Sequence, residues 1–250
     1  MPQFSEISAS LSGSLQLTQP PVAVALCDAL PEGVPVWQES VPAGCRFWQE
    51  AATKVFATTA RHHDLCAIGV FTHNLEGTAS TDTDLGDALK VFADLSYVRA
   101  EDIAQIPVLA VRPHYVVYGP LASIPVTPDV VLLFVQSNQT LILSEAAQQI
   151  EGGVPPAMGR PACAIIPQAK NTGRAALSLG WCGARAYLDV LTDNTALFAI
   201  PGTRLAEFSE RVAALAQANS ILTQFHSIRR RDIEAGRRPT VRESLAAMSA

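Results

Sequence analysis

The residues most able to do chemistry are Cys45, Cys66, Cys163 and Cys182, each beside a glycine or an alanine. Small neighbours let backbone amides approach a sulfur atom. Iron–sulfur clusters take thiolate ligands, and hydrogen bonds to the sulfurs help set their potentials. The gaps are 21, 97 and 19 residues, so no Cys-x-x-Cys pair marks a zinc ribbon or a ferredoxin. A dispersed site is the reading that remains, with three cysteines leaving one iron open or a fourth group completing the set. The alternative is that all four are buried thiols, because free cysteine packs as a small hydrophobe. Cys27, at the end of the strand-like Val22-Ala23-Val24-Ala25-Leu26, reads as plain core.

The densest stretch is Arg61-His62-His63-Asp64-Leu65-Cys66-Ala67-Ile68-Gly69, which runs into Val70-Phe71-Thr72-His73. Imidazole and thiolate together suit zinc or iron. Adjacent side chains in regular structure point apart, so His62 and His63 do not both bind one metal. His73 is a candidate general acid or base, and Asp64 a candidate to orient a histidine. Without metal, Cys66 paired with His63 or His73 would make a thiol nucleophile. Arg185, after a glycine-rich turn, is placed to clamp a carboxylate or phosphate, and Arg160 could do the same near Cys163. Dinucleotide, P-loop and hydrolase-elbow motifs are all missing.

These residues need elements to hold them. The Ser-, Leu- and Gln-rich start can form an amphipathic helix ended before Pro20-Pro21. Val22–Leu26 follows as a strand, and Val34–Gln38 as a short one. Phe47, Ala51, Val55 and Phe56 lie near helical spacing, which predicts a helix over 46–59 with Cys45 at its N-terminus. There the helix dipole would favour a thiolate. The histidine-rich stretch reads as a loop or short strand. Helices are expected at 83–95 (capped by Asp82 or Thr83), 100–105, 140–150 and 163–170. Strands are expected at 114–118, 130–135, 175–179 and 196–200, with 187–191 extending the sheet. A long helix runs from Pro201-Gly202-Thr203 to about Ala218. The tail, 221–250, is arginine-rich and helical with a break near Gly236 to Pro239, a solvated or subunit-contacting piece.

The whole is an α/β (or α+β) chain, a mixed sheet covered by helices: one domain over 1–220 and a C-terminal helical extension. With 48% hydrophobic and 16% charged residues it can bury a sizeable core. A net charge of −5 argues against general nucleic-acid binding. No apolar run is long enough to span a bilayer, and Met1 to Glu6 lacks signal-peptide character, so no membrane and a cytoplasmic location are expected. Two segments, 22–77 and 130–185, read as related halves. Each begins with a buried strand and, after a helix, delivers Cys-Ala-Ile, at Cys66 and at Cys163. A pseudo-twofold axis would then bring Cys66 and Cys163 together.

The order of motifs resembles the bacterial and archaeal family called domain of unknown function 169. The resemblance rests on Pro21-Val22-Ala23-Val24, Gly44-Cys45, Leu65-Cys66-Ala67-Ile68-Gly69 and Pro128-Asp129-Val130-Val131. Pro161-Ala162-Cys163, Leu179-Gly180 through Arg185, and Phe198-Ala199-Ile200-Pro201 complete it, over roughly residues 20–217. It implies metal or iron–sulfur ligation by Cys45, Cys66 and Cys163, with Cys182 a less certain member. The expectation is therefore a cysteine-ligated iron–sulfur protein, with zinc as the alternative metal. It would carry redox or lyase-type chemistry on a small anionic substrate held by Arg185, with His73 assisting, and could be a homo-oligomer. The competing expectation is a non-catalytic small-molecule-binding or regulatory oligomeric protein with buried thiols.

Overall fold

A computed structural model of the chain describes residues 2–180 and 182–248. Trp181, beside Cys182, lies outside the described residues. The elements run α1 (Pro2–Leu15), β1 (Val22–Cys27), α2 (Arg46–Glu50), β2 (Phe56–Thr58), α3 (Ala67–Thr72), α4 (Ala79–Asp94) and α5 (Ala100–Ile103). They continue β3 (Tyr115–Pro120), β4 (Val130–Val135), α6 (Ser137–Ile150), β5 (Ala157–Met158), α7 (Ile165–Thr172) and β6 (Ala176–Ser178). Last come α8 (Gly183–Ala186), β7 (Ala196–Pro201), α9 (Leu205–Glu234) and α10 (Val241–Ala246). The strands form one seven-stranded mixed sheet in the order β2-β3-β1-β4-β7-β6-β5, so the class is α/β.

Every residue of β4 and β7 is buried, because helices or loops cover both sides of the sheet. Alternate residues go to opposite sides. Ala23, Val117, Val131, Leu133 and Phe198 face a core closed by α1, α6 and α9. Val22, Val24, Tyr118, Val130, Leu132 and Leu197 face the other, where Cys45, Cys163 and the α7 residues Ile165 and Ile166 pack. A one-residue slip of β1 would exchange these sets. Each buried Val, Leu or Phe contributes roughly 1.5–3 kcal/mol, so the register, and with it the wall behind the cysteines, is strongly fixed.

Six of the seven strands are arranged symmetrically about the β1–β4 pair, and β5 lies beyond them at one edge. β1 and β4 run antiparallel with Ala23 opposite Val131. β3 and then β2 lie outside β1; β7 and then β6 lie outside β4. Val22 pairs with Pro120 as Val130 pairs with Pro201. Phe56 opposes Tyr118 as Ala176 opposes Ala199. A 3₁₀ turn follows each proline, Leu121–Ser123 and Gly202–Arg204.

Several local expectations are corrected. The helix over 46–59 ends at Glu50, and Phe56–Thr58 is strand. Pairing of Phe56 with Tyr118 outweighs the accidental helical spacing of Phe47, Ala51, Val55 and Phe56. The loop or strand expected after Cys66 is α3. Val34–Gln38 makes only the isolated bridge Val36 to Ala57. Residues 187–191 do not extend the sheet. α4 starts earlier than expected, with the Thr78 side chain accepting the Thr81 amide as its cap. α9 continues unbroken through 218 to Glu234, so the tail extends that helix until Gly236.

Candidate thiol site

Four short segments on one side of the sheet each deliver one cysteine. Cys45 immediately precedes α2 and Cys66 precedes α3; Cys163 lies in a 3₁₀ turn leading into α7; Cys182 precedes α8. All four line one cavity of about 280 Å³, with Gly44, Gly69 and His73 among its other walls. Cys45 and Cys163 are buried, and Cys66 and Cys182 half-buried. Cys27 does not line it; it ends β1 and packs against the opposite core.

Burial pushes the Cys45, Cys66 and Cys163 thiols up, and the charges of the others add to the push. Cys45 feels Cys182 and Cys66, and Cys163 feels Cys182, Cys66 and Cys45. The four sulfurs are thus electrostatic neighbours, and the three shifted groups favour the neutral thiol near pH 7. The expected helix-terminal thiolate at Cys45 is overturned, because α2 has only five residues and burial dominates. Opposing the burial, backbone groups of Gly69, Gly44 and Ile68 bear on the Cys66 sulfur. A Cβ on Gly69 would sit 3.3 Å from that sulfur, so the glycine lets the backbone come close.

The symmetric sheet reassigns the pairing of the cysteines. Cys45 precedes β2 and Cys163 precedes β6; Cys66 follows β2 and Cys182 follows β6. Topology therefore equates Cys45 with Cys163 and Cys66 with Cys182, whereas the Cys-Ala-Ile echo had matched Cys66 to Cys163.

Behind the thiols lies a set of buried polar groups. His63 is fully buried; its Nε2 meets Thr58 Oγ1 at 3.0 Å. Because Thr58 gives its own hydrogen to the Val116 carbonyl (3.2 Å), Nε2 must be the donor and Nδ1 the bare acceptor. His73 has the opposite tautomer. Its Nδ1 donates to the Gly69 carbonyl (3.0 Å), leaving Nε2 without a protein partner. The two rings lie 5.9 Å apart. Burial lowers His73 to about 4 and holds His63 well below its ordinary value. The Tyr118 hydroxyl is buried and unpartnered, and Cys163 and Cys45 act on it. No feature of the sequence over 114–118 singled Tyr118 out; its place in β3 puts it on the side of the sheet where Cys45 and Cys163 pack.

His62 is structural, since its Nδ1 accepts the Thr59 amide (2.9 Å). Among the described residues no hydrogen bond joins Asp64 to a histidine, and His63 is oriented by Thr58 instead. Arg185 does not line the thiol cavity. Its guanidinium donates to the carbonyls of Leu179 (2.9 and 2.8 Å) and Thr195 (2.6 Å), and also to that of Thr192. These bonds tie together the loop that carries Cys182. Arg160 also lies outside the cavity, 3.8 Å from Asp102.

Among the described residues, no group of three or more Cys, His, Asp or Glu side chains is arranged to hold a single metal ion. No helix among them is long and apolar enough to cross a membrane.

A symmetric mixed α/β sheet with a four-thiol cavity on one face defines the class of protein. The chain belongs to the uncharacterised ArCR family, domain of unknown function 169, whose profile matches residues 10–211. The match ends inside α9, so the distal part of that helix and α10 lie beyond it. Neither the curated proteins nor the solved structures include a match to the chain.

Proposed function

We propose that this is an iron–sulfur protein whose cluster is held by Cys45, Cys66, Cys163 and Cys182, and that it handles electrons. The observation that carries the reading is the convergence of four cysteines, from segments up to 137 residues apart, on one cavity. The donor set fits the group: soft thiolates with backbone groups bearing on the sulfurs. A single zinc would draw its sulfurs to about 2.3 Å from one centre. A cluster lets each sulfur bind its own iron, so its ligands stand farther apart than those of a single ion. Near-equivalence of the two cysteine pairs favours Cys182 as the fourth ligand over a histidine.

When bound, such a group supplies one-electron transfer. The chain's own part is to hold the four sulfurs, exclude water and position the surrounding groups. The three raised thiols must give up their protons on loading, so assembly releases protons and is favoured by rising pH. Arg185 braces the Cys182 loop, which leaves the anionic substrate without the anchor the sequence suggested.

The test is anaerobic purification and reconstitution with iron and sulfide, followed by a visible spectrum and metal counts. Matching iron and sulfide are expected in the wild type and in Cys27→Ser. Cys66→Ser and Cys182→Ser should each lose most of both. Colourless, iron-free protein after reconstitution would overturn the reading and leave a small-molecule-binding module with buried thiols; zinc without sulfide would replace the cluster.

A further inference from the structure

The thiol cavity also carries information about a second occupant. Two features of its lining decide the chemistry. The first is His73, which is 2% exposed and lines the cavity. Its Nδ1–H is spent on the Gly69 carbonyl at 3.0 Å, because a carbonyl oxygen can only accept. Nε2 lies on the opposite side of the ring, carries a lone pair and has no protein partner. A bare buried acceptor costs stability until a donor meets it. The second is charge. Asp84 is the lone carboxylate among the described lining residues, and no lysine or arginine accompanies it. The remaining walls, including Leu65, Ile68, Phe92 and Tyr187, are largely apolar.

We infer that this cavity receives a small neutral molecule with an apolar body and one O–H or N–H group, which it donates to His73 Nε2. An anion such as a carboxylate would bring no hydrogen to the lone pair, and the lining offers it no lysine or arginine, only the exposed, solvent-screened carboxylate of Asp84. A volume of about 280 Å³ sits just below the usual range for drug-sized ligands, which fits a single small ring or a short branched alcohol or amide. A cluster on the four sulfurs would occupy part of that volume, so a ligand beside it is limited to the smallest of these shapes. The inference rests on the thiol site proposed above and names what else that site recognises.

Three probes of one shape separate the possibilities: phenol, which donates; anisole, which does not; and benzoate, which is anionic. They are titrated by calorimetry into the full chain, purified anaerobically, with iron and sulfide counted on the same sample. Those counts report on the cluster independently of ligand preference, so the two readings fail separately. Phenol is expected to bind about tenfold tighter than anisole, the worth of one hydrogen bond, and benzoate weakest. In His73→Leu the difference between phenol and anisole should collapse while anisole binding persists. Should that variant fail to fold, Asp84→Asn, a change at an exposed residue, supplies the second test: benzoate should gain affinity while phenol does not change. Equal binding of phenol and anisole, benzoate binding as tightly as phenol, or no binding by any probe would overturn the inference.

Discussion

Gly44 is where the packing behind the site can be tested most directly. A Cβ added there would lie 2.5 Å from His63 Nδ1 and 3.0 Å from Cε1, whereas ordinary contacts begin at 3.4 Å. Something must therefore move by about 0.9 Å. The ring has nowhere to go: it is fully buried, packs 5.0 Å from Phe47 and is tied to Thr58 at 3.0 Å. The other partner is the backbone that carries Cys45. Overpacking of this kind costs roughly 1–3 kcal/mol. In a chain of this size each kcal/mol lowers Tm by about 2–4 °C, so Gly44→Ala should lower it by roughly 2–12 °C. On the proposed reading iron retention should fall with it, because the displaced residue adjoins Cys45. Gly13→Ala is the control. It sits in α1 with nothing within 4 Å of the new Cβ, and helix propensity predicts a gain of roughly 0.5–1 kcal/mol. Calorimetric melts of both variants, with iron counts, make the comparison. Combined with His63→Ser, Gly44→Ala should cost less than the sum of the two single changes, since neighbours that clash are coupled. A Gly44→Ala protein with unchanged Tm and full iron would refute the argument.

Two further perturbations follow from the same geometry. His73 falls from 6.5 to about 4 on folding, so its contribution is fully present above pH 6.5 and is lost as pH falls through about 4. The gap corresponds to about 3 kcal/mol, and His63, shifted the same way, adds to it. Urea unfolding of metal-free protein at several pH values should show that fall, and His73→Gln should flatten it; a wild-type profile level from pH 7 to 4 would contradict the burial. Arg185→Gln removes donors from three backbone carbonyls and should destabilise by about 2–3 kcal/mol. Its iron content should drop with Cys182 displaced, and hydrogen exchange should rise at 179–195; unchanged exchange there would mean the loop holds without it.

The central strands could be read directly from the chain because Val130–Val135 and Ala196–Ile200 are apolar on every residue, which is what a strand covered on both faces requires. The four cysteines that line one cavity had also stood out, by residue type and small neighbours. What failed was local and short. Phe47, Ala51, Val55 and Phe56 mimic a helical stripe, yet the chain turns after Glu50 and Phe56 pairs with a strand some sixty residues on. α3 spans six residues, too few for a period to show, so its apolar Ala67-Ile68-Gly69-Val70-Phe71 passed for loop or strand. Arg185 looked like a free anion clamp because the carbonyls it binds, at 179, 192 and 195, carry no side-chain signal. Nothing in the sequence indicated that His63, His73 and Tyr118 would each keep a buried polar atom unpartnered, since that depends on tautomer and register.

The symmetry of the sheet explains how a site can be built without any close cysteine pair. In each half one cysteine precedes and another follows a three-residue strand, β2 in the first and β6 in the second. The strands set the spacing of the two halves through the β1–β4 pairing, and the loops need only deliver one sulfur each. Thr58 and Ser178 occupy equivalent strand positions, opposite Val116 and Leu197. Both are buried, and both have become anchors. Thr58 orients His63 behind the thiols, whereas Ser178 donates to the Gly159 carbonyl (2.6 Å) and accepts the Gly180 amide (3.3 Å), securing the approach to Cys182. The halves diverge in what they add. The first supplies the buried imidazoles of His63 and His73 and, at the position matching Ala199, Tyr118; the second supplies the Arg185 brace. Four cysteines placed by a near-symmetric sheet thus stand in asymmetric surroundings, with buried polar groups, among them the unpartnered His73 Nε2, on one side and the Arg185 brace on the other.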